Sequence, residues 1–242
     1  MRLSTTIKFA IQRGLRSFGW EFKRLALSDM DQLNGFLTQH GVTTVLDVGA
    51  NIGQFSTTLR QAGYKGRIIS FEPQSQAYAS LVRAAAADPL WDVAPRCAVG
   101  AVQGELELNL SNNSVSSSAL PILKEHTGSA PDSRYVGKEK VPVITLDSCQ
   151  LFGRDSKIFL KVDTQGYEQQ VLDGATTLLK TLAGVQLEMS LAPLYEGQAD
   201  FVRLIDQMQR SGFYIWALNP GFTNRENGRL LQTDGTFFRT KA

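Results

Sequence analysis

The sequence predicts a doubly wound α/β fold, a mostly parallel seven-stranded sheet preceded by a helical arm. Short apolar, β-branched runs alternate with helical stretches from residue 43 onward. One of those runs passes directly into a glycine turn and a helix. Neither an internal repeat nor a long linker divides the 242 residues, so one domain accounts for the chain.

The elements follow in order. Residues 4–27 place Ile7, Ile11, Phe18, Phe22 and Leu25 at helical spacing, with Lys8, Arg13, Arg16, Lys23 and Arg24 largely on the other side. Residues 1–24 carry a charge of +5 and the remainder −3, giving +2 overall. Segment 1–41 is therefore a basic amphipathic helical arm and 42–242 the catalytic domain. Such an arm suits a helix docked on its own domain, and secondarily a peripheral membrane contact. Within the domain, 43–48, 67–71, 93–99, 157–162, 185–189, 213–218 and 236–239 are the core strands. Helices are expected at 53–62, 75–87, 168–182 and 200–211. Two more strands, 105–110 and 141–146, flank a Ser/Asn-rich loop. A helix followed by two strands with no helix between them predicts an antiparallel hairpin at the sheet edge.

Several function classes fall away on composition. A net charge of +2 gives no global support to nucleic-acid binding. No run of about 18 apolar residues exists, which excludes a spanning helix. Lys8 and Arg13 interrupt any signal-peptide core, so a cytoplasmic location, with the arm facing the inner membrane surface, is the expectation. Cys97 and Cys149 are far apart and read as reduced thiols.

The strongest motif is Val45-Leu46-Asp47-Val48-Gly49-Ala50-Asn51-Ile52-Gly53. Gly49 allows a tight turn and close approach of a ligand, and Gly53 allows the helix to start near the strand. Glu72, closing the second strand about 20 residues later, is placed to accept ribose hydroxyls. A dinucleotide site requires G-x-G-x-x-G, a spacing that 49–53 lacks. Asp47 before the turn disfavours a pyrophosphate and suits the cationic end of a methionine-bearing cofactor. An NAD-dependent oxidoreductase on the same type of sheet is the alternative, as is a protein that binds the cofactor without catalysis.

Together with Phe71-Glu72-Pro73, the run 161–168 (Lys-Val-Asp-Thr-Gln-Gly-Tyr-Glu) and 171–175 (Val-Leu-Asp-Gly-Ala), this motif resembles the FkbM family of methyltransferases over most of 42–240. The resemblance implies a class I methyltransferase, Rossmann-like fold and S-adenosylmethionine as methyl donor. It also implies O-methylation of a sugar, glycolipid or macrolide-type metabolite. Asp47, Gly49, Asn51 and Gly53 are the expected contacts around the methionine end, Glu72 the ribose contact, and Ala98 and Val99 the adenine contacts.

Hydroxyl methylation needs a base or a metal, because an alcohol is a poor nucleophile. Asp163 closes the fourth core strand and Glu188 the fifth, both at the ligand edge of the sheet. With Glu168 they form three carboxylates that could hold a divalent cation such as Mg²⁺. His126, in the Ser/Asn-rich insertion, is a further candidate base against the plainer reading of a solvent-facing loop residue. His40 reads as a helix cap. Loop 111–120, Tyr195, Trp216 and Asn219 are candidate contacts for a small-molecule or carbohydrate-bearing acceptor.

Overall fold

A computed structural model of the protein describes residues 28–239 apart from 152, 154 and 155. The basic helix expected over 4–27 lies outside the described residues.

The first described element, α1 (Asp29–Gln39), starts at a reciprocal cap. The Ser28 hydroxyl accepts the Asp31 N–H at 3.1 Å, and the Asp31 carboxylate accepts the Ser28 N–H at 3.3 Å. Leu33 and Leu37 bury the inner face of α1 against Val45, Phe159 and Phe238. His40 caps its end, donating its N–H to the Phe36 carbonyl, and its ring stacks on Phe238 at 4.1 Å.

Beyond α1 the chain lays down β1 (Thr44–Val48), α2 (Gln54–Gln61), β2 (Arg67–Phe71), α3 (Ser75–Ala85) and β3 (Trp91–Val93). A small excursion follows through β4 (Ala98–Val99), β5 (Gly104–Ser111), α4 (Lys124–Ser129) and β6 (Tyr135–Ile144). The chain then returns through β7 (Ile158–Val162), α5 (Glu168–Asp173), β8 (Gly184–Ser190), α6 (Phe201–Arg210), β9 (Tyr214–Pro220) and β10 (Gln232–Phe238). The main sheet runs β3-β2-β1-β7-β8-β10-β9, with β10 antiparallel to both neighbours and the other pairings parallel. Every residue of β1 and β7 is buried, as central strands covered on both faces require. Strand order reverses between β1 and β7, which opens a crevice at their carboxyl ends.

Five expected elements differ in their bounds or their sheet from those observed. Strand 93–99 is two pieces, because Pro95 interrupts the ladder; β3 pairs with β2, while β4 pairs with β6. The flanking strands at 105–110 and 141–146 become β5 and β6, which join β4 in a separate three-stranded sheet. The helix expected over 168–182 breaks at Gly174, where a Cβ would lie 2.0 Å from the Gly100 carbonyl oxygen. The chain restarts as a 3₁₀ turn (Leu178–Lys180), with the Asp147 carboxylate accepting the N–H groups of Thr177 and Leu178. The last strand begins at Gln232 rather than 236. Its polar start conceals it in sequence, whereas pairing on both sides holds it in the fold.

Candidate functional site

The glycine turn after β1 is shaped by three left-handed residues, Gly49 (φ 80), Asn51 (φ 48) and Gly53 (φ 92). A Cβ on Gly49 would lie 1.8 Å from the Asp163 carbonyl oxygen, so the crossing of the β1 and β7 ends requires glycine. Gly53 serves packing instead. A Cβ there would meet Trp91 at 2.9 Å, and the residue does not line the cleft described next.

Above the turn lies an open cleft of about 890 Å³. Gly49, Asn51, Glu72 and Asp163 line it, opposite an apolar wall of Phe71, Ala98, Val99, Leu106 and Leu108. The sequence-predicted residues of the glycine turn, the second strand end and the third strand thus share one space, apart from Asp47 and Gly53. Leu106 and Leu108 come from the small sheet, which closes the outer side of the cleft.

Glu72 is 5% exposed and fixed from both sides. One carboxylate oxygen accepts the Asn51 N–H at 2.7 Å and the other the Gln74 N–H at 2.8 Å. Burial pushes its pKa up to about 7, with those two amides pulling the other way. Each oxygen keeps a further lone pair able to accept a hydroxyl.

Asp47 lies under the floor, wholly buried and outside the cleft lining. It accepts the Ser56 hydroxyl at 2.8 Å and pairs with Lys161 at 3.2 Å. Lys161 stands directly beside it across the β1–β7 register. The same ammonium is 3.5 Å from an Asp163 oxygen and lies over the Phe55 ring. Burial opposes the Lys161 charge, but Asp47 and Asp163 more than reverse this and raise its pKa. The charge attributed to Asp47 in sequence is therefore answered from within, and Lys161 relays it to the cleft wall.

Asp163 lines the cleft. Lys161 engages one of its oxygens, and the Gln165 side-chain amide donates to the other at 2.9 Å. Gln165 also donates to Glu188 at 2.6 Å and accepts the Tyr195 hydroxyl at 2.7 Å. Its backbone is left-handed (φ 55), which turns that amide between the two carboxylates.

The three acids do not converge on a cation. Glu168 folds back on its own loop, accepting the N–H groups of Thr164 at 2.9 Å and Gly166 at 3.1 Å and the Thr164 hydroxyl. Glu188 accepts the side-chain amides of Gln165 and Gln232 and does not line the cleft. Among the described residues no group of three His, Cys, Asp or Glu side chains is arranged for a metal, which corrects that expectation.

His126 is placed differently from a solvent-facing loop histidine. It is buried in α4, off the cleft, between the rings of Tyr195 and Phe222, with Ser116 at 3.5 Å. Burial lowers its pKa to about 4, leaving it neutral at neutral pH. Trp216 packs against His40 and Phe238, and Asn219 faces a separate cavity. Cys97 and Cys149 are free thiols. No helix among the described residues is long and apolar enough to cross a membrane. Sequence reasoning missed the role of Gln165, which was within reach, since it occupies an open position of the D-x-x-G-x-E run.

Burial also raises Glu168 to about 7, Asp234 to about 6, and Glu188 well above the usual carboxylate range, where neighbouring Asp163 adds to the effect. Folded-state values above the unfolded ones mean that the native state binds more protons, so stability is lost as pH rises through about 7. Between pH 8 and 6.5, above the ordinary histidine pKa, Tm of the ligand-free protein should rise on acidification. A net gain of about 1 kcal/mol would shift Tm by about 2–4 °C for a chain of this size. A flat or falling Tm in differential scanning calorimetry over that window would contradict this ionisation scheme.

The family model for the methyltransferase FkbM domain matches residues 47–215. No curated protein sequence matches this chain. Solved structures of similar shape include TehB from Haemophilus influenzae, at TM-score 0.46 and 10% identity, covering 86% of this chain and 62% of that one. Another is the precorrin-6y C5,15-methyltransferase from Geobacter metallireducens, at 0.44 and 11%, covering 90% and 94%. The ribosomal protein L11 methylase from Lactobacillus delbrueckii subsp. bulgaricus aligns at 0.42 and 12%, covering 92% and 83%.

Proposed function

This chain belongs to the FkbM methyltransferase family, and from that premise we propose that it methylates a hydroxyl oxygen of a sugar, glycolipid or secondary metabolite. S-adenosylmethionine is the donor in this reading. The observation that carries it is one cleft containing both a ribose-type carboxylate, Glu72, and a braced carboxylate, Asp163, at opposite ends of the glycine turn.

The cleft's residues fit the donor. Glu72 offers two acceptor oxygens for a ribose diol, and Phe71, Ala98, Val99, Leu106 and Leu108 form an apolar slot for a purine. Gly49 and Asn51 would line the methionine end. S-adenosylmethionine supplies a methyl carbon made electrophilic by its sulfonium sulfur. What remains for the protein is to orient the acceptor and remove its proton. Asp163 takes that proton. Lys161 lies 3.5 Å from one of its oxygens and the Gln165 amide donates to the other at 2.9 Å, which holds the carboxylate in place. Glu188 stands behind Gln165 as a support for that orientation. An amine acceptor, neutral on binding, would need no such base, which is why the braced carboxylate favours oxygen.

Incubation with S-adenosylmethionine carrying a ¹³C-methyl group, against parallel panels of hydroxylated and aminated acceptors, tests this by NMR. New signals in the methoxy region are expected. Products confined to N-methyl or C-methyl groups would contradict oxygen transfer.

A further inference from the structure

The loop between β5 and α4 sends Ser114, Val115, Ser117 and Ala119 into the wall of the cleft. It bridges the two halves of that space, reaching the segment after Asp163 with one part and the glycine turn and the segment after Glu72 with another.

The two attachments are unequal. On the Asp163 side the loop is rooted: Ser116 and Ser118 are buried, and the Ser118 hydroxyl donates to the Gln165 carbonyl at 2.7 Å. Ser118 also exchanges backbone hydrogen bonds with Asn109, at 2.9 and 3.1 Å, and the Tyr195 hydroxyl reaches the Ser116 carbonyl at 3.3 Å. The Arg134 and Asp132 carbonyls hold the N–H groups of Asn112 and Asn113, both at 3.1 Å.

Between these anchors the tip rests lightly on the other half. The Asn51 side-chain amide donates to the Ser114 hydroxyl at 3.3 Å, and the Gln74 amide donates to the Ser117 hydroxyl at 3.3 Å. Both are long for such bonds. The Gln74 amide oxygen is buried without a partner among the described residues, so that contact is only half satisfied. Ser114 holds a left-handed backbone (φ 58), which is costly for a residue with a Cβ. Val115 beside it lines the cleft yet remains 48% exposed. Weak contacts, an exposed apolar side chain and a strained residue mark a segment of low local stability facing a ligand space.

We infer that residues 114–117 form a clasp on the methyl-donor site, lifting from Asn51 and Gln74 to admit the cofactor and closing on it. The inference rests on the S-adenosylmethionine reading above and adds to it the residues that set how long the nucleoside stays. The anchors fix the direction of movement: parting the two long contacts frees the tip, while Ser116 and Ser118 keep the root in place. Closure buries Val115 against the ligand, a gain missing in the empty cleft that offsets the strain at Ser114.

Hydrogen exchange read by mass spectrometry on the full chain, with and without S-adenosylhomocysteine, tests the clasp together with the ligand's dissociation rate by surface plasmon resonance. Amides of 114–117 should exchange fast in the free chain and about tenfold slower or more with ligand, while those of β5 stay slow in both states. Ser114→Ala and Val115→Ala should each raise koff about fivefold and leave kon within about twofold. Val115 is half-exposed, so its variant keeps the kinetic test intact if Ser114→Ala fails to fold. Slow exchange of 114–117 already in the free chain, or an unchanged koff in both variants, would make the loop a fixed wall and overturn the clasp. Failure of the wild type to bind S-adenosylhomocysteine would instead bring down the donor reading on which the clasp rests.

Discussion

Asp163→Asn is expected to lower kcat by about 100- to 10,000-fold, the usual contribution of a positioned general base. S-adenosylhomocysteine affinity should change little. The substitution keeps the shape of the side chain and its place on the cleft wall, and removes its negative charge and with it the ability to accept a proton. Lys161 retains Asp47 at 3.2 Å, so the buried charge below remains paired. A loss of affinity equal to the loss of rate would instead make Asp163 a donor-binding residue. A kcat within about threefold of wild type would exclude it as base, since general-base catalysis contributes far more than that.

Lys161→Met carries the largest expected cost in stability, about 3–5 kcal/mol, because it strands a wholly buried carboxylate at Asp47. For a chain of this length that corresponds to a drop of about 6–20 °C in Tm. The Ser56 hydroxyl, donating at 2.8 Å, satisfies one lone pair of Asp47 but cannot neutralise its charge. Pairing the change with Asp47→Asn should restore most of the lost Tm, because the uncompensated charge is then gone. Equal Tm losses in the single and double variants would show that Lys161 acts through packing on Phe55 rather than through charge.

The donor half of the site is local in sequence, and so it was legible there. A strand, a glycine turn and a helix occupy 45–61, and Glu72 follows one β–α unit later. Each of those positions has a backbone or register reason that spacing alone expresses, such as the left-handed Gly49 or the strand-end Glu72. What sequence could not supply was that Lys161 pairs with Asp47, because that depends on the β1–β7 register.

The half of the site around Asp163 depends on contacts between distant segments. Gln165, Glu188, Tyr195 and Gln232 form one hydrogen-bond chain drawn from separate elements. Asp234 belongs to a strand whose first residues, Gln232 to Gly235, carry no apolar run to announce it. His126 illustrates the converse. A Ser/Asn-rich neighbourhood suggests solvent, yet Tyr195 and Phe222 enclose the ring from elsewhere in the chain. Pro95 and Gly174 broke elements whose hydrophobic pattern ran on through them. In both cases a local backbone constraint overrode the periodicity.

In the proposed reaction the cleft over the glycine turn holds S-adenosylmethionine through Glu72. Isothermal titration with S-adenosylhomocysteine, and separately with NAD⁺, on wild type and Glu72→Gln tests it most directly. Wild type should bind the first ligand and not the second, and Glu72→Gln should weaken that binding about 10- to 100-fold, as loss of charged hydrogen bonds to a ribose diol requires. Binding of NAD⁺ instead, or S-adenosylhomocysteine affinity indifferent to Glu72→Gln, would contradict it.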